Sequence, residues 1–234
     1  MNTTYAIILA GGRGLRLASK TPKQFLPLGS KPVIAWSLEL CDALSEINHI
    51  LVVVPKEFIP QVDSLIKTRN IVKYIKTVPG GSTRQESAYN ALAAVDYVDN
   101  DILIFHDAAR PFVSPEIMQS CIAAAKEHGA SAAYVPVHDT IAEIDGDYVA
   151  TVPLRDRMYY AQTPQGFRFS IIKTAHEKAR DSGLAGTDDA SLVLAAGYKV
   201  KMIDGDYSNF KITTDYDYQA ACSIAETKHG TTRR

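Results

Sequence analysis

Ile50-Leu51-Val52-Val53-Val54 is five apolar residues in a row, four of them β-branched, with no polar position to mark a solvent side. A strand with one wet face alternates apolar and polar residues, so an unbroken run belongs to a strand covered by helices on both faces. Working outward, β-rich runs recur at Tyr5–Ala10, Ile50–Pro55, Val72–Val78, Ile102–His106, Ala130–Pro136 and Lys199–Ile203. Helix-like stretches separate them, near Val33–Leu44, Phe58–Lys67, Arg84–Val95, Pro115–His128, Ser170–Arg180 and Asp188–Ala196. In the first of these Val33, Ile34, Trp36, Leu38, Leu40, Cys41 and Leu44 supply an apolar face at helical spacing. Ser114-Pro115 places a capping hydroxyl before a proline at the first helical position. Strand–helix alternation of this kind predicts an α/β fold with a mostly parallel sheet and right-handed crossovers.

The 234 residues suit one sizeable α/β domain, 1–234. Lys plus Arg (25) and Asp plus Glu (26) nearly cancel, so no global field favours nucleic acid or an acidic membrane, and any anion binding must be local. Cys41, Cys121 and Cys222 lie far apart without a C-x-x-C pair, which predicts buried free thiols in a reducing compartment. The apolar run Ala6–Ala10 is too short for a signal peptide and no run has the length of a membrane span, so the expectation is a cytoplasmic protein.

Between Val137 and Asp156 the rhythm breaks into two β-like runs, Thr140–Ile144 and Tyr148–Val152, around Asp145-Gly146. Asp-Gly in that setting signals a hairpin. Inserted in an α/β chain it reads as a projecting arm, with a small sheet packed on its own domain as the alternative. The polar, basic tail Glu226–Arg234 is expected to fray.

Chemistry concentrates where the runs end. The first strand leads into Leu9-Ala10-Gly11-Gly12-Arg13-Gly14-Leu15-Arg16, followed by Thr21-Pro22-Lys23-Gln24-Phe25. Glycines let backbone N–H groups approach phosphate oxygens, though taken alone this is equally an ordinary glycine turn with two solvated cations. It is not a dinucleotide fingerprint, whose third glycine is Leu17 here, nor a Walker loop, which ends in Gly-Lys-Ser/Thr. Pro79-Gly80-Gly81-Ser82-Thr83-Arg84 leads into a helix carrying Ser87. The strand Ile102–His106 ends in Asp107-Ala108-Ala109-Arg110-Pro111. An aspartate on that rim can hold Mg²⁺ or merely cap a turn. Gln162-Thr163-Pro164-Gln165, with Arg155 ahead of it, and Asn209-Phe210-Lys211-Ile212-Thr213 complete the set.

In this order, together with Pro136-Val137-His138-Asp139-Thr140-Ile141 and Thr187-Asp188-Asp189-Ala190, these segments resemble the 2-C-methyl-D-erythritol 4-phosphate cytidylyltransferases of non-mevalonate isoprenoid synthesis over nearly the whole chain. The resemblance implies a Rossmann-like three-layer fold and a homodimer in which the arm at 137–156 reaches over the partner. It also implies CTP, a polyol phosphate and a divalent cation, normally Mg²⁺. By motif match, Arg16, Lys23, Arg155 and Lys211 would be the catalytic cations. Ala10, Gly11, Gly12, Gly14 and Ala108 would contact the nucleotide, with Gly80, Gly81, Ser82 and Ser87 at the cytosine ring. Arg110, Thr140, Thr163 and Thr187 would meet the acceptor, and Asp107 the metal. His106 is expected to be a hydrogen-bonding residue at a strand end, since an ionised phosphate monoester needs no base.

Two departures leave a second acceptor open. Ala142 stands where the family commonly has lysine, and Ala10-Gly11-Gly12 is also common wording in the related ribitol-5-phosphate cytidylyltransferases, whose product is CDP-ribitol. Readings from other classes are an NAD-dependent oxidoreductase, which lacks its third glycine, and a non-catalytic nucleotide-binding scaffold, which sits poorly with Arg16, Lys23, Asp107 and Lys211 all present.

Overall fold

The computed structural model describes residues 2–12 and 21–230, with side chains as far as Thr227. β1 (Thr4–Leu9) lies inside the molecule, all six residues buried. A short ribbon of β2 (Pro27–Leu28) and β3 (Lys31–Pro32) leads to α1 (Val33–Ala43), then β4 (His49–Val54), α2 (Ile59–Arg69), β5 (Tyr74–Pro79) and α3 (Arg84–Leu92). After β6 (Ile102–Asp107) come α4 (Pro115–His128), β7 (Ala130–Pro136), the hairpin β8 (Glu143–Asp145) and β9 (Tyr148–Thr151), and β10 (Tyr159–Arg168). The chain ends with α5 (Phe169–Ser182), α6 (Asp189–Ala195), β11 (Lys201–Asp204) and α7 (Asp215–Gly230).

Among the described residues seven strands form one sheet in the order β11-β7-β10-β6-β1-β4-β5. β1, β4, β5 and β6 run parallel, as do β7 and β11, while β10 is antiparallel to both β6 and β7. The period of two along β1 explains the layers. Ala6, Ile8 and Ala10 join Ile50, Val52, Ile34, Leu38, Val62, Met118 and Ile122 on one face. Tyr5, Ile7 and Leu9 join Leu51, Val53, Ala88, Leu92, Ile172 and Val193 on the other. The unbroken run of β4 is thus apolar because both faces meet helices. Helix starts follow local chemistry: Ser114 Oγ accepts from Ile117 N at 3.3 Å, one residue before Pro115.

All six expected strands and all six expected helices are present, with ends moved by up to three residues. Besides the short β2–β3 ribbon, two elements escape the sequence pattern. β10 carries Gln162-Thr163-Pro164-Gln165, and proline offers no N–H to a ladder. The sheet accommodates it where the β7–β10 register shifts between Ala161 and Gln165. α7 buries only small residues, Ala221 and Ala225, against Leu26, Leu28, Val33, Phe112 and Ile212, so its sequence shows no strong apolar stripe. It runs as helix to Gly230, and residues 231–234 of the tail expected to fray lie outside the described residues.

The hairpin is antiparallel, pairs with neither the main sheet nor β2–β3, and exposes every residue of β8 and β9. Its turn is Gly146-Asp147, one position later than the Asp145-Gly146 reading, because Asp145 pairs with Tyr148. Gly146 has φ 59, a left-handed value that glycine adopts without a Cβ penalty. Of the cysteines Cys41 and Cys121 are buried and Cys222 is half-buried, all free thiols. No helix among the described residues is long and apolar enough to cross a membrane.

Candidate active site

Four parallel strands end on one rim, and their following loops enclose a cavity of about 730 Å³. Backbone hydrogen bonds stitch that rim together: Ala10 N donates to Val53 O at 2.7 Å, Gly80 N to Val54 O at 2.9 Å, and Ala108 N to Leu9 O at 3.0 Å. Loops at the carboxyl ends of an open α/β sheet form its usual ligand crevice. The structure brings Ala10, Gly11, Gly12, Lys23, Gly80, Gly81, Ser82, Ser87, Asp107, Ala108 and Lys211 to this one wall. Gly14 and Arg16 lie outside the described residues.

Close approach explains three of the glycines. A Cβ on Gly11 would stand 3.3 Å from Ser87 Oγ, one on Gly80 3.2 Å from the same oxygen, and one on Gly81 2.3 Å from Glu86 Cγ. Ser87 Oγ accepts from Gly81 N at 3.0 Å and donates to Thr83 O at 2.8 Å, so it knits the glycine loop to the first turn of α3. On the opposite side Lys23 Nζ donates to Ile212 O at 2.9 Å, tying its helical turn to the segment that carries Lys211. Gln24 Nε2 donates to Ala10 O at 2.8 Å, fixing that turn to the end of β1.

Asp107 is the electrostatic centre. Lys211 Nζ lies 2.6 Å from Oδ2, Arg84 Nε 3.5 Å from Oδ1, and Arg110 Nε 3.9 Å from Oδ2. Burial alone would raise the Asp107 carboxyl, but Lys211 and then Arg84 outweigh it and hold the group far below the usual carboxylate range. Arg84 is itself aimed by a second carboxylate: its Nη1 lies 2.7 Å from Asp189 Oδ2, and Asp189 Oδ1 takes His176 Nε2 at 3.0 Å. Burial opposes ionisation of Asp189 as well, and Arg84 and His176 overcome it.

His106 is a bonded strand-end residue, as expected. Its Nε2 lies 3.1 Å from Arg110 O, a pure acceptor, so the ring proton resides on Nε2. Nδ1 therefore accepts from Thr163 Oγ1 at 3.1 Å, and Thr163 Oγ1 in turn accepts from Asp107 N at 3.0 Å. Burial pushes the His106 imidazole down to about 4, so it is neutral at ordinary pH.

Within one chain the expected acceptor residues separate into two groups. Thr163 and Arg110 back onto Asp107, where Arg110 also donates to Asn209 O at 2.8 Å and Ala161 O at 3.3 Å. The Thr163 hydroxyl and both Arg110 Nη atoms are thus occupied in holding this end of β6 and β10 in place, while the buried Arg110 Nε has no hydrogen-bond partner among the described residues. Thr140, Arg155 and Thr187 are exposed and do not line the cavity. Among the described residues Arg155 Nη1 donates to His138 O, at 3.4 Å. Sequence reading missed Gln24, Lys56, Glu57 and Arg84 on the cavity wall. Gln24 and Arg84 stood inside quoted motifs, whereas nothing in the sequence pointed to Lys56 or Glu57.

Among the described residues no group of three or more His, Cys, Asp or Glu side chains could enclose a metal. The single carboxylate of Asp107 on the cavity wall fits what Mg²⁺ takes from a protein, one or two carboxylates with the rest of its shell completed by substrate oxygens and water.

A sequence model of 2-C-methyl-D-erythritol 4-phosphate cytidylyltransferase matches residues 4–227. The cytidylyltransferase of that name from Syntrophotalea carbinolica is 38% identical over 226 residues, spanning 96% of this chain and 97% of that protein. The one from Geobacillus thermodenitrificans is 40% identical over 219 residues, 94% and 95% of the two chains. Among solved structures, 4-diphosphocytidyl-2C-methyl-D-erythritol synthase from Anaerococcus prevotii superposes with a TM-score of 0.85 at 31% identity, covering 96% of both chains. The 2-C-methyl-D-erythritol 4-phosphate cytidylyltransferase of Thermus thermophilus gives 0.78 at 32% identity, covering 97% of this chain and 100% of that one. With fold, cavity and full-length similarity in agreement, the chain belongs to the 2-C-methyl-D-erythritol 4-phosphate cytidylyltransferase family.

Proposed function

We propose that this chain transfers the CMP moiety of CTP to 2-C-methyl-D-erythritol 4-phosphate, forming the CDP-linked polyol and pyrophosphate for isoprenoid synthesis. The observation that carries the reading is that a family match over residues 4–227 falls on a rim cavity lined by glycine loops, Lys23, Lys211 and Asp107. The acceptor's phosphate oxygen attacks the α-phosphorus as the pyrophosphate bond breaks. Both reactants are anions, so the barrier lies in bringing them together and in the charge on the α-phosphoryl oxygens, which positioning and electrostatics relieve.

In this reading Gly80, Gly81, Ser82 and Ser87 face the cytosine, and Ala10, Gly11, Gly12, Gly14 and Ala108 present backbone to the nucleotide. Arg16 and Lys23 hold the triphosphate. Lys211, poised on Asp107, is within side-chain reach of the same phosphates. Asp107 would hold Mg²⁺, whose chemistry is to neutralise phosphate charge. No base is required, because the phosphate monoester is already ionised. Arg110 and Thr163 support the acceptor end through Asp107.

The exposed positions Thr140, Arg155 and Thr187 fit an acceptor site completed in a homodimer. The hairpin β8–β9 leaves Ile144, Tyr148, Val149, Val152 and Leu154 at 54–80% exposure, an apolar surface that a second copy would cover. The chain is then one nucleotidyltransferase unit with a dimerisation arm, working in the cytoplasm without nucleic acid or membrane. Ribitol 5-phosphate, left open by Ala142 and Ala10-Gly11-Gly12, is not favoured, since the relatives and solved structures described above are methylerythritol enzymes by name.

Pyrophosphate release from CTP and Mg²⁺, measured with methylerythritol phosphate, with ribitol 5-phosphate and with no acceptor, tests the reading. Turnover confined to the first arm is expected. Preference for ribitol phosphate, or no turnover with either, would overturn it.

A further inference from the structure

Glu86, one turn into α3 and outside the cavity lining, makes contacts that the reaction has not used. Its Oε2 accepts from Ser82 N at 2.7 Å and from Ser82 Oγ at 2.6 Å. Its own N–H donates to Thr83 Oγ1 at 3.0 Å, so the first turn of α3 and the loop before it cap each other reciprocally. The side chain crosses directly beneath Gly81, where any Cβ would meet Glu86 Cβ, Cγ and Cδ within 2.6 Å. The loop 80–82 is therefore gripped from both sides, by Ser87 Oγ on Gly81 N and by Glu86 on Ser82.

The grip also fixes polarity. A hydroxyl has one proton and two acceptor lone pairs. A carboxylate only accepts, so the Ser82 hydroxyl must spend its proton on Glu86. Ser82 lines the cavity with lone pairs alone, and a group facing it there must bring an N–H or O–H. An amino-pyrimidine satisfies that demand, whereas a pyrimidine with a carbonyl at the same position sets acceptor against acceptor.

We propose that Glu86 is a positioning residue for nucleotide selection: it orders the base-facing loop and orients the Ser82 hydroxyl as an acceptor, favouring the amino group of cytosine over the carbonyl of uracil. The proposal rests on the reading that Ser82 faces the base. Glu86 is exposed, so its replacement leaves the core untouched. Hydrogen bonding to Ser82 holds its carboxyl below the usual range, keeping it ionised at ordinary pH.

The test is kcat and KM for CTP and UTP, with methylerythritol phosphate and Mg²⁺, in the full-length chain and in Glu86→Ala, Glu86→Gln, Ser82→Ala and the Ser82→Ala/Glu86→Ala double variant. Glu86→Ala is expected to raise KM for CTP about tenfold and to lower the CTP:UTP preference in kcat/KM by about tenfold, the worth of one hydrogen bond, with kcat little changed. Glu86→Gln keeps an acceptor carbonyl oxygen and should retain most of the preference. In the Ser82→Ala background, removing Glu86 should leave the preference where Ser82→Ala alone puts it. A wild-type CTP:UTP preference in Glu86→Ala overturns the proposal. So does an equal loss of preference on removing Glu86 whether or not the Ser82 hydroxyl is present. A parent chain that turns over no CTP contradicts the proposed function itself, and is distinguishable from both.

Discussion

Asp107 sits among more positive charge than it can balance, with Lys211, Arg84 and Arg110 all within 4 Å of its oxygens. Such a carboxylate holds the cations in place, an arrangement that suits the triphosphate site proposed above. Asp107→Asn takes the counter-charge from Lys211 and Arg110, while Arg84 keeps Asp189. It is expected to cost about 1–3 kcal/mol of stability, less than a fully buried pair because the Lys211 side chain is 38% exposed, in urea unfolding at neutral pH, and to abolish turnover. Retained stability would mean that the cluster relaxes into solvent. The cavity residues legible in the sequence were those in glycine- or cation-bearing motifs. Arg84 stood in plain view, but its role depends on Asp189, 105 positions away, and no local pattern announces such a partner.

At the scale of elements, parallel strands and long helices were readable because their burial imposes a period. β10 was not, because its centre is polar: Gln165 Nε2 donates to Asp188 Oδ2 at 2.7 Å and Ala190 N donates to Gln165 Oε1 at 3.1 Å, so these amides are buried as connectors. α7 was missed because only alanines, Ala221 and Ala225, are fully buried on it, with Tyr218, Cys222 and Ile224 only partly covered beside them. The α4–β7 junction is a tight element boundary. Gly129 there has φ 86, and a Cβ would meet Ile171 Cδ1 at 2.7 Å. Gly129→Ala is expected to destabilise the fold by about 1 kcal/mol or more, read as a lower urea midpoint with an unchanged slope. The arm gives a separate expectation. Ile144→Glu with Val149→Glu places charge on its exposed apolar surface, and should shift the homodimer proposed above to monomer in sedimentation while far-ultraviolet circular dichroism is unchanged. A dimer that persists would place the interface elsewhere.

The molecule as a whole should be sensitive to acid earlier than its carboxylates alone predict. His106 is neutral when folded, with its ionisation depressed to about 4 from an ordinary 6.5. The unfolded chain binds that proton first, so the stabilisation is complete above about pH 6.5 and fades as pH falls toward 4. This one group should remove about 2 kcal/mol between pH 7 and pH 5, and His106→Gln should flatten that part of the urea-measured stability profile. Asp107 and Asp189, both depressed, add a loss only below about pH 4, as protons bind the unfolded carboxylates first.

In the proposed reaction, side chains from distant parts of the chain converge on one pocket to stabilise charge growing on the α-phosphate. Lys23 is the side chain on which this convergence turns, because it lines the cavity and is tethered through Ile212 O to the Lys211 segment. Steady-state turnover of CTP with methylerythritol phosphate is predicted to fall about 10²–10³-fold in kcat for Lys23→Ala at saturating substrates. Near-normal kcat in a folded Lys23→Ala variant would contradict the account.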